Sequence, residues 1–253
     1  MVTAVPLPHT RWALFLDVDG TLLELAPTPD SVRVPARIKS LLAGLAEAAG
    51  GAVALVSGRT IAQLDEWFAP LKLASAGLHG LERRDAEGRI HRPPHDERAL
   101  QRARTFLATR IKSHDALLLE DKQMALALHY RRAPELEGTA RALMTRAREL
   151  AGEGFCILEG KMVLELKPDG FSKPLAIAAF LAEPPFTGRT PLFVGDDRTD
   201  EAGFTFVEGL GGIAVHVGDA DTRARWRLPD VSAVHEWLAA LLLAHAGPRS
   251  AAH

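Results

Sequence analysis

The feature that most constrains the fold is a repeated pattern of short apolar runs, each followed by small or acidic residues and then by a longer helical stretch. Such apolar runs are typical of strands buried on both faces of a parallel sheet. Because strand, polar turn and helix recur in this order, the pattern predicts a doubly wound, Rossmann-like parallel α/β sheet. The predicted strands are 12–16, 53–56, 73–76, 192–194 and 213–217, and the predicted helices are 35–49, 61–68, 174–181 and 200–207.

The middle of the chain departs from this pattern and predicts an inserted α+β cap domain. Turn sequences at Asp121-Lys122-Gln123 and Gly160-Lys161 indicate two hairpins, and hence an antiparallel sheet with two helices on one face. We expect a catalytic core of residues 1–95 and 168–253, a cap of residues 96–167, and hinges at 93–94 and 168–170. The predicted cap elements are helix 98–112, strands 116–120 and 124–130, helix 134–151, and strands 155–159 and 162–166.

The composition predicts a folded protein without a strongly charged surface. Apolar residues make up 47% of the chain and charged residues 25%, and the formal net charge is -2. This charge gives no overall field that would attract nucleic acid or an anionic membrane, so we expect a small-molecule substrate and a monomer. The first ten residues have no basic region and contain two prolines, which favours a cytoplasmic protein over a secreted one.

Two acidic clusters follow two of the predicted strands. Asp17-Val18-Asp19-Gly20-Thr21 comes directly after strand 12–16, and Gly195-Asp196-Asp197-Arg198-Thr199-Asp200 comes after strand 192–194. Open α/β sheets bind ligands outside the carboxyl ends of their strands, so both clusters are expected in one crevice. Two ionised carboxylates so close to each other repel unless a cation holds them or one of them stays protonated, and Mg²⁺ prefers such oxygen ligands. The first cluster alone is also compatible with an acidic turn that caps the next helix.

Two further segments have the groups that a phosphate dianion requires. Ser57-Gly58-Arg59 follows strand 53–56, and Ser172-Lys173 opens a predicted helix. A hydroxyl, free backbone N–H groups and an ammonium at helix starts favour phosphate binding. Taken singly, Ser57 is typical of a helix N-cap and Lys173 of a solvated lysine. Taken together with the acidic clusters, the segments predict a phosphate site.

The order DxDGT, SGR, SK and GDDxTD resembles that of the haloacid dehalogenase superfamily of aspartyl-phosphate hydrolases, over nearly the whole chain. More narrowly, the sequence is similar to the trehalose-phosphatase family in the segments GLHGLERR, LEDKQMALALHYR, GKMVLELKPDGFSK, GRTPLFVGDDRTDEAGF and GGIAVHVG. One departure is Pro174, where the resemblance implies glycine. Proline is acceptable in the first turn of a helix, so we expect Lys173 to keep its place.

The resemblance implies the roles of the core residues. Asp17 would be the nucleophile that carries the phosphoryl group, and Asp19 the general acid and then base. Lys173 and Mg²⁺ would offset the charge on the transferring phosphoryl group. The implied phosphate-binding set is Asp17, Val18, Asp19, Ser57, Gly58 and Lys173; the implied metal set is Asp17, the backbone carbonyl of Asp19, and Asp196, with Asp197 and Asp200 as outer ligands or as groups that orient Lys173.

The resemblance also implies the substrate, trehalose 6-phosphate. Paired carboxylates with an ammonium can hydrogen-bond several sugar hydroxyls at once, and a site of this kind rejects analogues that lack them. The implied substrate-binding residues are Glu120, Lys122 and Glu165, with His79, His129, Arg131 and Arg59 in addition. Without the resemblance, Glu120 and Lys122 are typical of a solvated hairpin pair.

Three other functions remain open from the sequence. The core motifs are equally compatible with a sucrose-phosphate or hexose-phosphate phosphatase, and less so with a phosphomutase. From a different class, a non-catalytic sugar-phosphate sensor would need to have lost a catalytic group, yet Asp17, Asp19, Lys173 and Asp196 are all present. Release of phosphate in the presence of Mg²⁺ distinguishes an enzyme from a sensor.

Overall fold

The structure is a computed structural model that describes residues 5–7, 11–25 and 32–245. Most of the first ten residues, on which the prediction of a cytoplasmic location rests, therefore lie outside the described residues. The chain divides into two compact units, the first formed by residues up to 92, 172–196 and 200 onward, and the second by residues 93–171 and 197–199. The functional division into a core and a cap stays a prediction.

The secondary structure elements are numbered in chain order. The strands are β1 (Trp12–Leu16), β2 (Val53–Val56), β3 (Ala74–Gly77), β4 (Glu82–Arg84), β5 (Ile90–His91), β6 (Leu118–Asp121), β7 (Leu126–His129), β8 (Phe155–Gly160), β9 (Val163–Pro168), β10 (Thr190–Gly195), β11 (Ile213–Val217) and β12 (Trp226–Leu228). The helices are α1 (Ala36–Ala48), α2 (Ile61–Phe68), α3 (Glu97–Arg110), α4 (Glu137–Ala151), α5 (Lys173–Leu181), α6 (Glu201–Gly209) and α7 (Val231–His245).

The first unit is built on an eight-stranded sheet in the order β12-β11-β10-β1-β2-β3-β4-β5. The six strands from β12 to β3 pair in parallel. Every residue of β1 is buried, as expected for a central strand covered on both faces. Helix α1 packs against α7, and α5 packs against α6. The α/β fold class predicted from the apolar runs is confirmed.

The edges of this sheet contain strands that the sequence pattern did not predict. Strands β4 and β5 are antiparallel to their neighbours, and β12 extends the opposite edge in parallel. All three are only two or three residues long, and β4 has the polar sequence Glu-Arg-Arg. Runs of two or three residues are too short to show the two-residue period of a strand, so the sequence pattern cannot identify them.

The second unit is a four-stranded antiparallel sheet in the order β6-β7-β9-β8, with two helices that pack against each other. This is the predicted arrangement. One face of the sheet presents leucines from β7 and β9 to the two helices, since successive side chains of a strand point to opposite faces. The predicted helix 134–151 begins with a 3₁₀ turn at Pro134–Leu136, and the regular helix starts at Glu137.

Within the described residues, no helix combines the length and the apolar character that crossing a bilayer requires.

In the first unit, three aromatic rings pack together and hold β1 and α5 in place. Phe15 in β1 lies against Phe186 and against Phe180 of α5, with ring centroids 5.5 and 6.0 Å apart. The centroids of Phe180 and Phe186 are 5.1 Å apart. All three side chains are almost completely buried. Because α5 begins at Lys173, this packing fixes the position of the helix that carries the predicted catalytic lysine.

We predict that Phe180→Ala lowers the free energy of unfolding by about 3–5 kcal/mol, because it leaves a cavity between β1 and α5. Urea denaturation followed by circular dichroism measures this change. The control is Leu243→Ala, whose side chain is 74% exposed and whose loss should change stability by less than about 0.5 kcal/mol. An equal loss in both variants would contradict the proposed packing role of Phe180.

Candidate active site

The two acidic clusters meet because their strands are neighbours. Strands β1 and β10 pair in parallel with Leu16 opposite Val194, so the residues that follow each strand leave the sheet at the same edge. The backbone N–H of Asp17 donates to the carbonyl of Val194 at 2.9 Å, which extends the pairing by one residue. The Asp17 side chain is buried. The sheet register therefore brings Asp17 close to Asp196.

Three carboxylates and one ammonium form the centre of the site. Carboxylate oxygens of Asp17, Asp196 and Asp200 all lie within 4.8 Å of one another. Lys173 Nζ donates to Asp17 Oδ1 at 2.8 Å and to Asp200 Oδ1 at 2.6 Å. Lys173, the first residue of α5, is 3% exposed, and Pro174 follows it in the first helical turn as the sequence predicts.

The electrostatics of this centre follow from burial and crowding. Burial raises the pKa of Asp17 well above its usual range; Lys173 opposes this shift, and the nearby Asp200 and Asp196 add to it. For Lys173, burial lowers the pKa, but the two carboxylates Asp17 and Asp200 outweigh it and raise the pKa overall. The lysine is therefore held as an ammonium, and three carboxylates face this one positive charge.

This charge balance fits a bound divalent cation. Mg²⁺ in proteins is bound by oxygen ligands from one or two carboxylates. Burial is the main cause of the raised pKa of Asp17, and a cation would relieve the repulsion from Asp200 and Asp196 that adds to it. Asp200 is one of the three and also accepts from Lys173, a contact that the sequence-based prediction of an orienting role requires. The carboxylate of Asp197 accepts a hydrogen bond from the backbone N–H of Arg198 at 2.8 Å and is not one of the three. Its role as an outer ligand stays a prediction.

Gly20 allows the loop after Asp17 to approach Asp196 closely. Its φ of +81° lies in the left-handed region, and a methyl group on its Cα would lie 2.1 Å from Asp196 Oδ2. The loop is tightly folded, because the carbonyl of Val18 accepts from the backbone N–H groups of Leu22 and Leu23, both at 2.9 Å. Any side chain at Gly20 would therefore separate the two acidic clusters.

Asp19, the predicted acid and base, is paired with Arg59. The guanidinium donates through Nε and Nη2 to the two carboxylate oxygens, each at 2.8 Å. It also lies over the ring of Trp67, 4.7 Å from the centroid. The sequence assigned Arg59 to the substrate, and the structure adds a direct contact with Asp19. A serine-glycine-arginine segment gives no signal of this pairing, because the two residues lie on different strand ends and meet only in the folded chain.

The loop that contains Ser57 is supported by the turn after β3. Ser57 is buried, and its Oγ accepts from the backbone N–H of Arg59 at 3.2 Å. The backbone N–H of His79 donates to the carbonyl of Ser57 at 2.9 Å, and the imidazole packs against Gly58. The structure thus places His79 beside the predicted phosphate loop.

The second unit gathers another set of predicted residues on one face of its sheet. Ala127 of β7 pairs with Glu120 of β6 on one side and with Glu165 of β9 on the other, so the three lie in a row across the sheet. His129 lies two residues further along β7 and therefore on the same face. This is the face opposite to the leucines that pack against α3 and α4.

The side chains on this face form one ion pair and one hydrogen bond between a histidine and a carboxylate. Lys122 contacts Glu165, and each side chain is 6% exposed. His129 Nε2 and Glu120 Oε2 are 2.9 Å apart. Arg131, the remaining predicted residue of this unit, donates to the backbone carbonyl of Lys161 at 3.2 Å. The structure thus brings four of the five predicted sugar-binding residues of the second unit together.

Comparisons with known proteins identify the family of this chain. Residues 15–232 match the family described as Trehalose-phosphatase. The chain is 44% identical over 237 residues to the "Trehalose-6-phosphate phosphatase" of Escherichia coli (strain K12), covering 94% of this chain and 89% of that protein. It is 43% identical over 244 residues to the "Probable trehalose-phosphate phosphatase" of Sinorhizobium fredii (strain NBRC 101917 / NGR234), covering 96% and 92%.

A solved structure gives the same result. The crystal structure of a trehalose-6-phosphate phosphatase related protein superposes with a TM-score of 0.77 at 25% identity, and covers 92% of this chain and 97% of that one. The family match spans most of the chain and includes all the carboxylates of the site. The chain therefore belongs to the trehalose-phosphatase family and is a phosphatase.

Proposed function

We propose that the protein hydrolyses trehalose 6-phosphate to trehalose and phosphate, depends on Mg²⁺, and uses Asp17 as an aspartyl nucleophile. The observation that carries this proposal is the buried Asp17 carboxylate, held by Lys173 through one oxygen beside Asp196 and Asp200. The substrate is inferred from the 44% identical E. coli protein, which bears that name.

In the first step, an oxygen of Asp17 attacks phosphorus, and the bond between phosphorus and the sugar oxygen breaks. Lys173 orients the nucleophile, since it already donates to Asp17 Oδ1. Asp19 protonates the departing sugar oxygen, because an alkoxide is a poor leaving group. Asp19 must first leave Arg59, which engages both of its carboxylate oxygens. Opening of this ion pair is therefore a part of the proposed cycle.

In the second step, water attacks the phosphorus of the acyl phosphate, and the bond between phosphorus and the Asp17 oxygen breaks. Asp19 accepts the proton that the water loses, which restores both carboxyl groups for the next cycle. Ser57 and the backbone of its loop hold the phosphoryl oxygens through both steps. Their burial beside the turn after β3 keeps these donors in place.

We infer that Asp17, Asp196 and the backbone carbonyl of Asp19 would hold the Mg²⁺ ion. Asp200 then orients Lys173, since it gives one oxygen to the ammonium and is fully buried. Bound Mg²⁺ supplies positive charge that stabilises the transferring phosphoryl group.

The sugar is recognised, in this proposal, by the polar face of the second unit. In the row Glu120, Ala127 and Glu165, one carboxylate lies on each side of a small residue, and Lys122 and His129 lie beside them. Donors and acceptors packed this closely can satisfy several hydroxyls of a disaccharide, and a sugar that leaves them unpaired loses affinity.

We predict that the protein releases phosphate from trehalose 6-phosphate in preference to sucrose 6-phosphate and glucose 6-phosphate, and only with Mg²⁺.

Asp17→Asn should lower kcat by about three orders of magnitude or more, because it removes the nucleophile. Its thermal midpoint should change little, because asparagine keeps the shape of the side chain and an oxygen that can accept from Lys173, which also keeps its contact with Asp200. A phosphate-release assay and thermal denaturation measure both. Substantial turnover by Asp17→Asn would exclude the aspartyl-phosphate mechanism.

Asp196→Asn should weaken Mg²⁺ binding by about tenfold or more, and Asp200→Asn by much less, since only Asp196 is proposed to contact the ion. Asp200→Asn should instead lower kcat, because Lys173 loses one of its two charged partners. Calorimetric Mg²⁺ titration and the dependence of rate on Mg²⁺ provide the measurements. Equal losses of Mg²⁺ affinity would show that both carboxylates contact the metal.

Lys122→Ala and Glu165→Ala should lower kcat/KM for trehalose 6-phosphate by about 100-fold, because each removes one charged group of the buried pair that is proposed to bind the sugar. Turnover of a small aryl phosphate should change by less than about threefold, because that substrate has no sugar to bind. Lys161→Ala, an exposed lysine of the same unit, is the matched control. Equal losses on both substrates would assign the pair to folding.

A further inference from the structure

Glu82 is a buried carboxylate for which the proposed chemistry has no role. It lies in β4, next to the edge of the first unit's sheet, and is 3% exposed. Buried glutamates are rare unless other groups satisfy their charge, because transfer from water is costly. Its position within the segment GLHGLERR, which the sequence analysis singled out, gives no reason for this burial.

The contacts of Glu82 lead to the Ser57 loop. Oε1 accepts from the backbone N–H of Ile61, the first residue of α2, at 2.5 Å. Oε2 accepts from Nε of Arg92 at 2.9 Å. A carboxylate at a helix N-terminus is favourable, since it satisfies an N–H group that has no partner within the helix. Ile61 follows the phosphate loop Ser57–Gly58–Arg59 after a single residue.

Glu82 completes the attachment of this loop to its surroundings. The backbone of Ser57 bonds to Ala76 and His79, and the carbonyl of Arg59 accepts from Leu78 at 2.9 Å. These contacts come from β3 and the turn that follows it. Thr60, the N-cap of α2, accepts from the backbone N–H of Gln63. The backbone N–H of Ile61 donates to Glu82 instead. The carboxylate is thus the side-chain contact that fixes the far end of the loop.

The contact between Glu82 and the loop requires a residue without a side chain at position 77. Gly77 pairs with Glu82 across β3 and β4. A methyl group on Gly77 would lie 2.8 Å from Glu82 Oε1 and 2.8 Å from the carbonyl oxygen of Arg59. Only glycine therefore lets the carboxylate and the loop backbone approach each other here.

We propose that Glu82 is a positioning residue that fixes the Ser57–Gly58–Arg59 loop for binding of the phosphoryl group. It touches neither the phosphoryl group nor the reacting atoms, and acts through the Ile61 N–H. The inference rests on the proposed phosphatase function of the same site. Because the loop holds phosphate oxygens in the bound substrate as well as during transfer, a loosened loop should raise KM more than it lowers kcat.

The test compares Glu82→Leu, which removes the acceptor, with Glu82→Gln, which keeps a carbonyl oxygen for Ile61. Glu82→Leu should raise KM for trehalose 6-phosphate and the inhibition constant of orthophosphate by about tenfold, with kcat within about threefold of wild type. In Glu82→Gln, KM, kcat and the inhibition constant of orthophosphate should each stay within about threefold of wild type. Gly77→Ala, which crowds the same contact without removing it, should raise KM in the same direction as Glu82→Leu.

Amide hydrogen exchange gives a readout that does not depend on activity. In Glu82→Leu the amides of residues 57–61 should exchange faster than in wild type, while those of β1 and β10 stay unchanged. If wild type released no phosphate from trehalose 6-phosphate, the proposed substrate would be wrong, and the exchange experiment would still test Glu82.

Two controls separate this role from general loss of an ion pair. Glu183→Leu breaks the pair with Arg83, the residue next to Glu82, and this pair does not contact the loop. Arg92→Gln removes the other partner of Glu82 and keeps the Ile61 contact. In both variants, the inhibition constant of orthophosphate should stay within about twofold of the wild-type value. The proposal is overturned if Glu183→Leu matches Glu82→Leu, if Glu82→Gln is as impaired as Glu82→Leu, or if Glu82→Leu changes neither phosphate binding nor exchange.

Discussion

The buried contact of Lys173 with Asp17 and Asp200 is the interaction on which the rest of the structure depends. Its three residues come from the end of β1, the start of α5 and the turn before α6. Charges removed from water are tolerated only when good geometry and hydrogen bonds compensate them. The chain therefore has to bring three distant segments to one sheet edge, and the aromatic packing of Phe15, Phe180 and Phe186 behind that edge makes this possible.

Around this rigid centre, the groups proposed to move protons and hold phosphate are supported by other parts of the first unit. Arg59 holds the carboxylate of Asp19 with two hydrogen bonds, and Trp67 lies under its guanidinium. The loop that carries Arg59 is in turn held by the turn after β3 and by Glu82. The proposed nucleophile Asp17 thus has buried charged neighbours, while the proposed acid and base Asp19 belongs to a partly exposed ion pair. This division suits a cycle in which Asp17 keeps its place and Asp19 changes partners.

The strands of the second unit place apolar side chains on one face of the sheet and polar side chains on the other, because successive side chains alternate. Leucines of β7 and β9 face the helices and form a core of their own. The residues between them face the other way, and among these Glu165 pairs with Lys122 and His129 contacts Glu120. Because the two faces are independent, the polar face can change without loss of the core. In the proposed function, this face determines which sugar is accepted and the first unit supplies the phosphoryl chemistry.

The sequence by itself determined the fold class, the central strands and the catalytic candidates at their ends. Apolar runs such as 12–16 and 53–56 have a period and length that only a buried strand explains, and Asp17 directly follows one of them. Only the tertiary structure decided which charges meet. Three contacts join residues from different elements: Arg59 with Asp19, Asp200 with its neighbour Asp17, and Glu82 with the backbone N–H of Ile61. Local patterns report burial and backbone conformation, whereas these contacts depend on strand order and register, which no local segment contains.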